Sequence, residues 1–409
     1  MAKTLGAAGS SYNLTSGLTR FIAYNQLFVD PTESNIQFTI RTAGTFYDFK
    51  IYVSANTLNG TATYRLRKDT GSGPGDGNQV IAVATTLTGL FEDTTNNDAY
   101  SAGDKFSYSA VTGGSSGSVT VQNHSLAFDS GTNTSQRYST ARNPVSAAVA
   151  TIYSPLTTQC PNDAVTEANA QFKFRTGGTL KNGFWNIITN TQSGAITART
   201  RIDGANGNIA IAVTASTTGI FEDTSNTDTI SSTNLVNWSI SGWDAVNTFV
   251  GRSLAVDFET TDSTFELISG SSANTGNNIS ASTTRYIGAG LPSSSATATE
   301  ANAQIKSSFA FTASNLGIYI VSNAGTTEGT FNLRIGGSNT AITTAITALT
   351  TGYFEDTSNS VSVALGDLIN TRIITGATGV TAIANAGFMG EAASSNVTTI
   401  SRMMLMGIS

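Results

Sequence analysis

The chain has 409 residues, of which 12% are charged, 39% are hydrophobic and 40 are glycine. The charged share is about half of the roughly 25% that is typical of globular proteins. Ser, Thr, Asn and Gly take its place. Because these residues are poor helix formers that suit turns and the outer faces of strands, a helical bundle is excluded. The net charge of −6 argues against nucleic acid as a partner, since phosphate binding requires a basic surface.

Cys160 and His124 are the single cysteine and the single histidine of the chain. They exclude an intrachain disulfide, a zinc cluster of Cys and His, and any site with two histidines. A Ser-His-Asp triad would have to use His124, and no GxSxG motif accompanies it. We therefore expect neither a cofactor nor enzymatic activity, and we interpret His124, which lies in a strand-like segment, as structural.

The first segment, residues 1–18, lacks the apolar stretch of a secretory signal. No stretch of the chain approaches the roughly 18–20 apolar residues of a membrane-spanning helix. We therefore expect no membrane partner and synthesis in the cytoplasm, with residues 1–18 as an amino-terminal arm that serves for attachment.

The first repeated motif is ESNIQ at 33–37, which recurs as EANAQ at 167–171 and 300–304. An arginine follows each glutamate 34 positions later, which gives three possible pairs: Glu33 with Arg67, Glu167 with Arg201, and Glu300 with Arg334. Because both charges recur in a chain that is poor in charge, we expect a specific interaction. Pairing inside each unit is favoured, and pairing across units is the alternative.

The second repeated motif is TGLFEDTTN at 88–96, which recurs as TGIFEDTSN at 218–226 and TGYFEDTSN at 351–359. Its phenylalanines, Phe91, Phe221 and Phe354, are separated by 221 − 91 = 130 and 354 − 221 = 133 residues. Motifs that keep their order and spacing predict three copies of one domain-sized unit. We expect the three phenylalanines at equivalent, buried positions of the same strand.

The aspartates of this motif, Asp93, Asp223 and Asp356, are weak candidates for calcium ligands. Their spacing differs from that of an EF-hand. The favoured interpretation is a turn in which Asp93 and Asn96 bond their own backbone. A glycosidase pair of Glu92 and Asp93 is a further alternative.

Within each unit the apolar residues recur with a period of two, as in Phe49, Ile51 and Val53. This alternation is typical of half-buried antiparallel strands, and turn-forming residues separate the short runs. The sequence therefore predicts an all-β fold of three tandem antiparallel β-sandwich repeats, each jelly-roll-like and about 130 residues long. We divide the chain into the arm 1–18, repeat one 19–130, a linker 131–148, repeat two 149–262, a linker 263–283 and repeat three 284–409.

The order of segments within repeat one resembles a known family of modules. An aromatic strand FYDFKIYV at 46–53 leads to TYRLRKD at 63–69, then to DTTN at 93–96 and GDKF at 103–106. This order resembles jelly-roll modules of tailed-bacteriophage virion proteins, in head-decoration, fibre and tail proteins, and it is distantly similar to C1q/TNF-type trimeric jelly rolls. Repeat two departs from the pattern, with Ala198 and Thr200 in its arginine strand and Thr233-Asn234 in place of Gly-Asp.

The resemblance implies a non-enzymatic bacteriophage virion structural protein. We favour a capsid surface decoration or stabilising protein that binds other virion proteins, lies on the virion surface and is released by lysis. The alternative is a tail-fibre-like adhesin that binds a receptor or a host-surface glycan. Its sugar-stacking candidates are Phe49, Tyr52, Tyr64, Trp185, Trp238 and Trp243. A hydrolase, the third interpretation, requires a pocket with convergent carboxylates.

Three units in one chain also predict an assembly. Large interfaces are depleted of charge at their centres, and this chain is poor in charge. We therefore expect a closed intrachain pseudo-threefold arrangement, a pseudo-trimer, in preference to a linear rod.

Overall fold

The computed structural model describes residues 3–24, 29–131, 135–142, 151–156, 158–160, 166–242, 244, 247–260, 264–270, 277–288 and 296–392. Within these ranges the chain forms β-strands joined by turns, together with three short 3-10 turns. All strand pairs are antiparallel except one, so the prediction of an all-β fold is confirmed.

The first unit consists of two packed sheets. Its strands are β1 (Lys3–Thr15), β2 (Thr19–Ile22), β3 (Val29–Asp30), β4 (Phe38–Thr39), β5 (Gly44–Asn56), β6 (Ala62–Asp69), β7 (Pro74–Val83), β8 (Gly89–Tyr100), β9 (Lys105–Thr112) and β10 (Ser118–Asp129). One sheet has the order β1-β10-β5-β8 and the other has the order β3-β2-β9-β6-β7, with β4 paired to β9. The apolar side chains of both sheets point inward and form one core.

The second unit repeats this arrangement. Its strands are β11 (Ser135–Arg142), β12 (Thr151–Ser154), β13 (Thr158–Cys160), β14 (Phe172–Lys173), β15 (Gly178–Asn190), β16 (Ile196–Ile202), β17 (Ala205–Val213), β18 (Gly219–Ile230), β19 (Leu235–Ser241) and β20 (Phe249–Glu259). The sheets have the orders β13-β11-β20-β15-β18 and β12-β19-β16-β17, with β14 paired to β19. The single parallel pair in the described residues joins β11 to β13.

The third unit has the same strand order. Its strands are β21 (Thr264–Gly270), β22 (Asn277–Ser280), β23 (Thr284–Gly288), β24 (Ile305–Lys306), β25 (Phe311–Asn323), β26 (Gly329–Ile335), β27 (Ser338–Ile346), β28 (Gly352–Val363), β29 (Leu368–Ile374) and β30 (Val380–Ala392). The sheets are β21-β30-β25-β28 and β23-β29-β26-β27, with β22 paired to β30 and β24 to β29. Among the described residues, four strands keep the same order in each sheet of all three units, and each unit adds one strand to this pattern: β3 in the first, β13 in the second and β22 in the third.

The segments expected to be an arm and two linkers contain strands that belong to the sheets. Within the arm, β1 pairs with β10. In the interval 131–148, β11 pairs with β20, and in 263–283 both β21 and β22 pair with β30. β11 and β22 are rich in Ser, Thr and Asn, so their composition is that of a linker, whereas their backbones extend a sheet. The boundaries of the three repeats remain a prediction. The strands β1, β11, β21 and β22 belong to the sheets and not to an arm or to linkers.

The three phenylalanines of the second motif occupy equivalent positions. Phe91 lies opposite Ile51, Phe221 opposite Trp185 and Phe354 opposite Ile318, always on the strand that closes one edge of its sheet. Each packs against the core of its own unit but is only half-buried. The expectation of full burial was wrong, because an edge strand has a neighbour on one side only.

Candidate functional site: the contacts between units

The Glu–Arg pairs lie inside each unit and hold a turn in place. Glu33, Glu167 and Glu300 each begin a 3-10 turn, Glu33–Asn35, Glu167–Asn169 and Glu300–Asn302, which we call the docking turns. Arg67 donates from Nε and Nη2 to the two carboxylate oxygens of Glu33 at 3.1 and 2.9 Å. The corresponding distances are 2.8 and 3.0 Å for Arg201 with Glu167, and 2.6 and 3.1 Å for Arg334 with Glu300. A two-point contact of this kind fixes the orientation of both side chains.

Neighbouring side chains reinforce the pairs. The Arg67 guanidinium lies 5.8 Å from the centre of the Phe21 ring, and that of Arg334 lies 5.6 Å from the centre of the Tyr286 ring. The hydrogen bonds that Arg67 donates to Glu33 and Asp76 raise its pKa, although burial opposes this effect. Each docking turn is therefore anchored to the middle of a sheet.

The docking turn of each unit, or the residue two positions after it, accepts hydrogen bonds from an asparagine of another unit. Asn186 of the second unit donates to the carbonyl oxygens of Ser34 and Asn35 in the first, at 2.9 and 3.1 Å. Asn385 of the third unit donates to the carbonyl oxygen of Gln171 in the second at 2.5 Å.

The same contact joins the first unit to the third. Asn123 donates to the carbonyl oxygens of Asn302 and Gln304, at 3.2 and 3.3 Å. Each unit thus supplies one amide and one turn. The turn of the first unit binds the second unit, the turn of the second binds the third, and the turn of the third binds the first.

The glutamates of the second motif, Glu92, Glu222 and Glu355, form a second set of contacts between units. We call them the marker glutamates. Glu222 of the second unit pairs with Arg41 of the first. Glu355 of the third unit pairs with Arg175 of the second and accepts from Lys173 at 2.9 Å. Glu92 of the first unit accepts from Lys306 of the third at 2.6 Å. These ion pairs follow the same cyclic order as the asparagine contacts.

The residue directly opposite each marker glutamate also faces the neighbouring unit. This facing position is Lys50 in the first unit, Phe184 in the second and Gly317 in the third. Phe184 is 1% exposed and packs with the apolar core residues of the first unit. A side chain at Gly317 would collide with the Arg175 guanidinium. Lys50 is buried, pairs with Asp48 and donates to the Ser308 hydroxyl at 2.8 Å.

Burial lowers the pKa of the Lys50 ammonium, and the Asp48 carboxylate beside it opposes that effect. A buried ammonium is stable only when it is paired and hydrogen-bonded. The contact between the first and third units therefore contains a buried charge with partners from both units.

The aspartates of the second motif stabilise a bulge in their strand. Asp93 accepts from the backbone N–H of Thr95 and Asn96 at 3.2 and 3.1 Å, and from that of Val80 at 2.8 Å. Asp223 and Asp356 accept the same set of donors. Burial alone would raise the pKa of Asp356, but hydrogen bonds from Asn359 and Thr343 outweigh it and lower the pKa to about 2.

This geometry agrees with the interpretation of the motif as a turn whose aspartate bonds its own backbone, because the carboxylate oxygens already accept several hydrogen bonds. Within the described residues no group of three or more His, Cys, Asp or Glu side chains could hold a metal ion. The three carboxylates lie in different units and converge on no common site.

The glycan-binding candidates are largely inaccessible. Phe49, Tyr64, Trp185 and Trp238 are buried in the cores, and Tyr52 is half-buried. Trp243 lies outside the described residues. His124 is buried in the first unit, with its ring 4.8 Å from the centre of the Tyr108 ring. Phe49, Tyr64, Trp185 and Trp238 therefore offer no open face for stacking on a sugar.

The cations and amides of the contacts were missed by the sequence analysis, because they do not keep one position in the repeat. The amide comes from the strand of Asn123 and Asn385 in units one and three. In unit two Arg252 takes that position, and the amide comes from Asn186 on the adjacent strand, directly opposite Arg252. The pairing of the two strands could have revealed this exchange, but only after the register was known.

Comparison with known proteins finds weak likenesses only. No family model matches the chain, and no curated protein matches it. A structure described as the triple jelly-roll fold and turret assembly of an archaeal virus is 12% identical, with a TM-score of 0.19, and the match covers 95% of this chain and 91% of that one.

Two further solved structures are similar to the same degree. The Sulfolobus turreted icosahedral virus structure is 12% identical with a TM-score of 0.19, covering 94% of this chain and 92% of that one. The infectious bursal disease virus Gx strain structure is 10% identical with a TM-score of 0.18, covering 96% and 81%. At these scores the likenesses carry no argument about function. None of the helices in the described part of the chain has the length and apolar character needed to cross a membrane.

Proposed function

We propose that this chain is a non-enzymatic structural protein of a bacteriophage virion, and that it decorates and stabilises the capsid surface. Its three units form a closed pseudo-threefold ring, which binds other virion proteins by shape. The chain is made in the host cytoplasm and released with the particle by lysis.

The observation that carries the proposal is the cyclic set of contacts between units. Docking turns and marker glutamates appear in all three repeats, and each takes part in a contact with a neighbouring unit. A linear rod would need only two such contacts, whereas Lys306 with Glu92 supplies the third. The marker glutamates, which recur in all three repeats, are thus used to join units.

The decoration role fits the way this chain gains stability. With one cysteine in 409 residues, it has no intrachain disulfide to protect it after release. Contacts that close a ring replace that constraint, because opening any one contact leaves the chain held by the others. The adhesin alternative receives less support, since four of its six aromatic candidates are buried.

The test is the location of the chain in purified particles and its effect on them. Antibody labelling should place it on heads, and particles depleted of it should bind added recombinant chain saturably and regain resistance to heating. Labelling confined to tails, together with binding to host cells or glycans, would favour the adhesin. Absence from purified particles would refute a virion role altogether.

A further inference from the structure

The contact between the third and first units differs in chemistry from the other two. Arg41, Arg175 and Ser308 occupy the same place in the three repeats, two positions after the last residue of β4, β14 and β24, the short strands that pair with β9, β19 and β29. Arg41 and Arg175 each pair with the marker glutamate of the following unit. Ser308 instead accepts a hydrogen bond from Lys50 at 2.8 Å.

We infer that Lys50 and Ser308 are a matched pair that makes the first unit accept only the third, so that the ring closes in one order within a single chain. This inference rests on the ring that we propose for the function of the chain, and it adds the determinant of partner choice between units.

The facing positions show why the pair is selective. Where an arginine is supplied, the facing residue is uncharged: Arg41 meets the unit that carries Phe184, and Arg175 lies against Gly317. Where the facing residue is Lys50, the supplied residue is a serine, whose hydroxyl can accept from the ammonium. At this contact the third unit supplies one cation, Lys306, which pairs with Glu92, and it places a hydroxyl instead of a second cation against Lys50.

Wrong pairings would place two cations together. If the first or second unit docked onto the first unit of its own or another chain, Arg41 or Arg175 would face Lys50. Lys50 is 2% exposed, so water could not screen the repulsion between an ammonium and a guanidinium there. Only the third unit has an uncharged residue, Ser308, at this position, and the cation that it does bring, Lys306, is paired with Glu92. Such a like-charge penalty against wrong partners is a common source of specificity.

A simpler interpretation assigns Lys50 to its own unit, where it pairs with Asp48. On that interpretation the residue at 308 would matter little. The two interpretations differ in the behaviour of a chain that carries arginine at 308, as both other units do at this position.

The experiment uses four full-length chains: wild type, Ser308→Arg, the double variant Lys50→Gly/Ser308→Arg, and Ala212→Arg as control. Ala212 is exposed on β17 of the second unit, so its arginine adds the same charge away from the contacts between units. The double variant copies the arrangement of Arg175 against Gly317. The measurements are the radius of gyration in solution and the melting temperature, with circular dichroism to verify β-structure.

We expect wild type and Ala212→Arg to have a radius of gyration near 22 Å, as the scaling law for globular chains gives for this length. Ser308→Arg should increase this radius and lower the melting temperature by at least about 3 °C more than the control does. The double variant should recover at least about half of that loss, because the facing ammonium is gone.

Two results would overturn the inference. One is a Ser308→Arg chain that behaves like the control, and the other is a double variant that is no better than Ser308→Arg alone. An extended wild-type chain, near 35 Å or more, would refute the ring itself and with it the proposed arrangement. A compact wild type with either of the first two results would refute only the matched pair.

Discussion

The Nζ atom of Lys306 lies 2.6 Å from the Glu92 carboxylate, although the two residues are 214 positions apart in sequence. The contact joins the last unit of the chain to the first. Arg41 with Glu222 and Arg175 with Glu355 join the other units in the same cyclic order. Each of the three marker glutamates therefore joins its own unit to a neighbouring one.

The Lys306–Glu92 pair should contribute modestly to stability. Its side chains are 30% and 24% exposed, so solvent weakens the attraction, and we expect a coupling of about 0.5–1 kcal/mol. The measurement is a double-mutant cycle with Lys306→Met and Glu92→Gln, followed by thermal unfolding at low and high salt. The Lys181–Glu259 pair, inside one unit and of similar exposure, serves as control. A coupling of zero at low salt would contradict the prediction.

Arg334→Lys should destabilise the third unit by about 1–2 kcal/mol, because lysine cannot reproduce the two-point contact with Glu300. The matched control is Arg65→Lys, since Arg65 is 38% exposed and its nearest carboxylate, that of Asp76, is 3.8 Å away. Unfolding in denaturant measures both changes. Equal effects of the two substitutions would show that the docking turn does not depend on its arginine.

His124 should make stability depend on pH. Burial lowers its pKa from 6.5 to about 3, so the unfolded chain binds a proton near pH 6.5 that the folded chain does not bind until about pH 3. The stability that the neutral, buried imidazole provides is complete above pH 6.5 and is lost as the pH falls. At pH 4 the loss in the free energy of unfolding is about 3 kcal/mol.

His124→Phe keeps a ring against Tyr108 and removes this titration. The drop in melting temperature between pH 7 and pH 4.5 should therefore be smaller in the variant, because the carboxylates titrate equally in both proteins. An identical drop in the two proteins would mean that the pKa of His124 is the same in the folded and the unfolded chain.

Asp356→Asn should cost about 1–3 kcal/mol at pH 7. The carboxylate accepts from two backbone N–H groups of its own turn and from that of Thr343, and an amide has only one oxygen to replace it. Glu391→Gln, an equivalent loss of charge at an exposed site, should change stability by less than about 0.5 kcal/mol. Since the pKa of Asp356 is about 2, its contribution in the wild type should persist above the usual carboxyl pKa of 3.8 and be lost as the pH falls through 2.

Calcium should leave the melting temperature unchanged. The oxygens of Asp93, Asp223 and Asp356 already accept from their own turns, so a metal would have to displace those donors. Melting in excess calcium and in excess chelator tests this expectation. A saturable rise with calcium that disappears in Asp356→Asn would assign a metal to the turn.

The sequence was sufficient to predict the three repeats and their all-β fold, because strand alternation and motif spacing are local properties of the chain. It also located the Glu–Arg pairs, although it left open whether they joined residues within or between units. It did not reveal β11, β21 and β22, because each is a short segment whose pairing with a strand distant in sequence, β20 or β30, leaves no local pattern in the chain.

The contacts between units were decided only by the tertiary structure. Their acceptors, the marker glutamates and the docking turns, keep one place in every repeat and were therefore visible as motifs. Their donors do not: the cation is Arg41 or Arg175 at one place in the first two repeats but Lys306, two positions earlier, in the third, and the amide moves from Asn123 to Asn186 across a strand pair. A contact between surfaces constrains where the charged and amide atoms lie in space. Neighbouring positions of one sheet can supply those atoms equally well, so the chain order alone does not record which position supplies them.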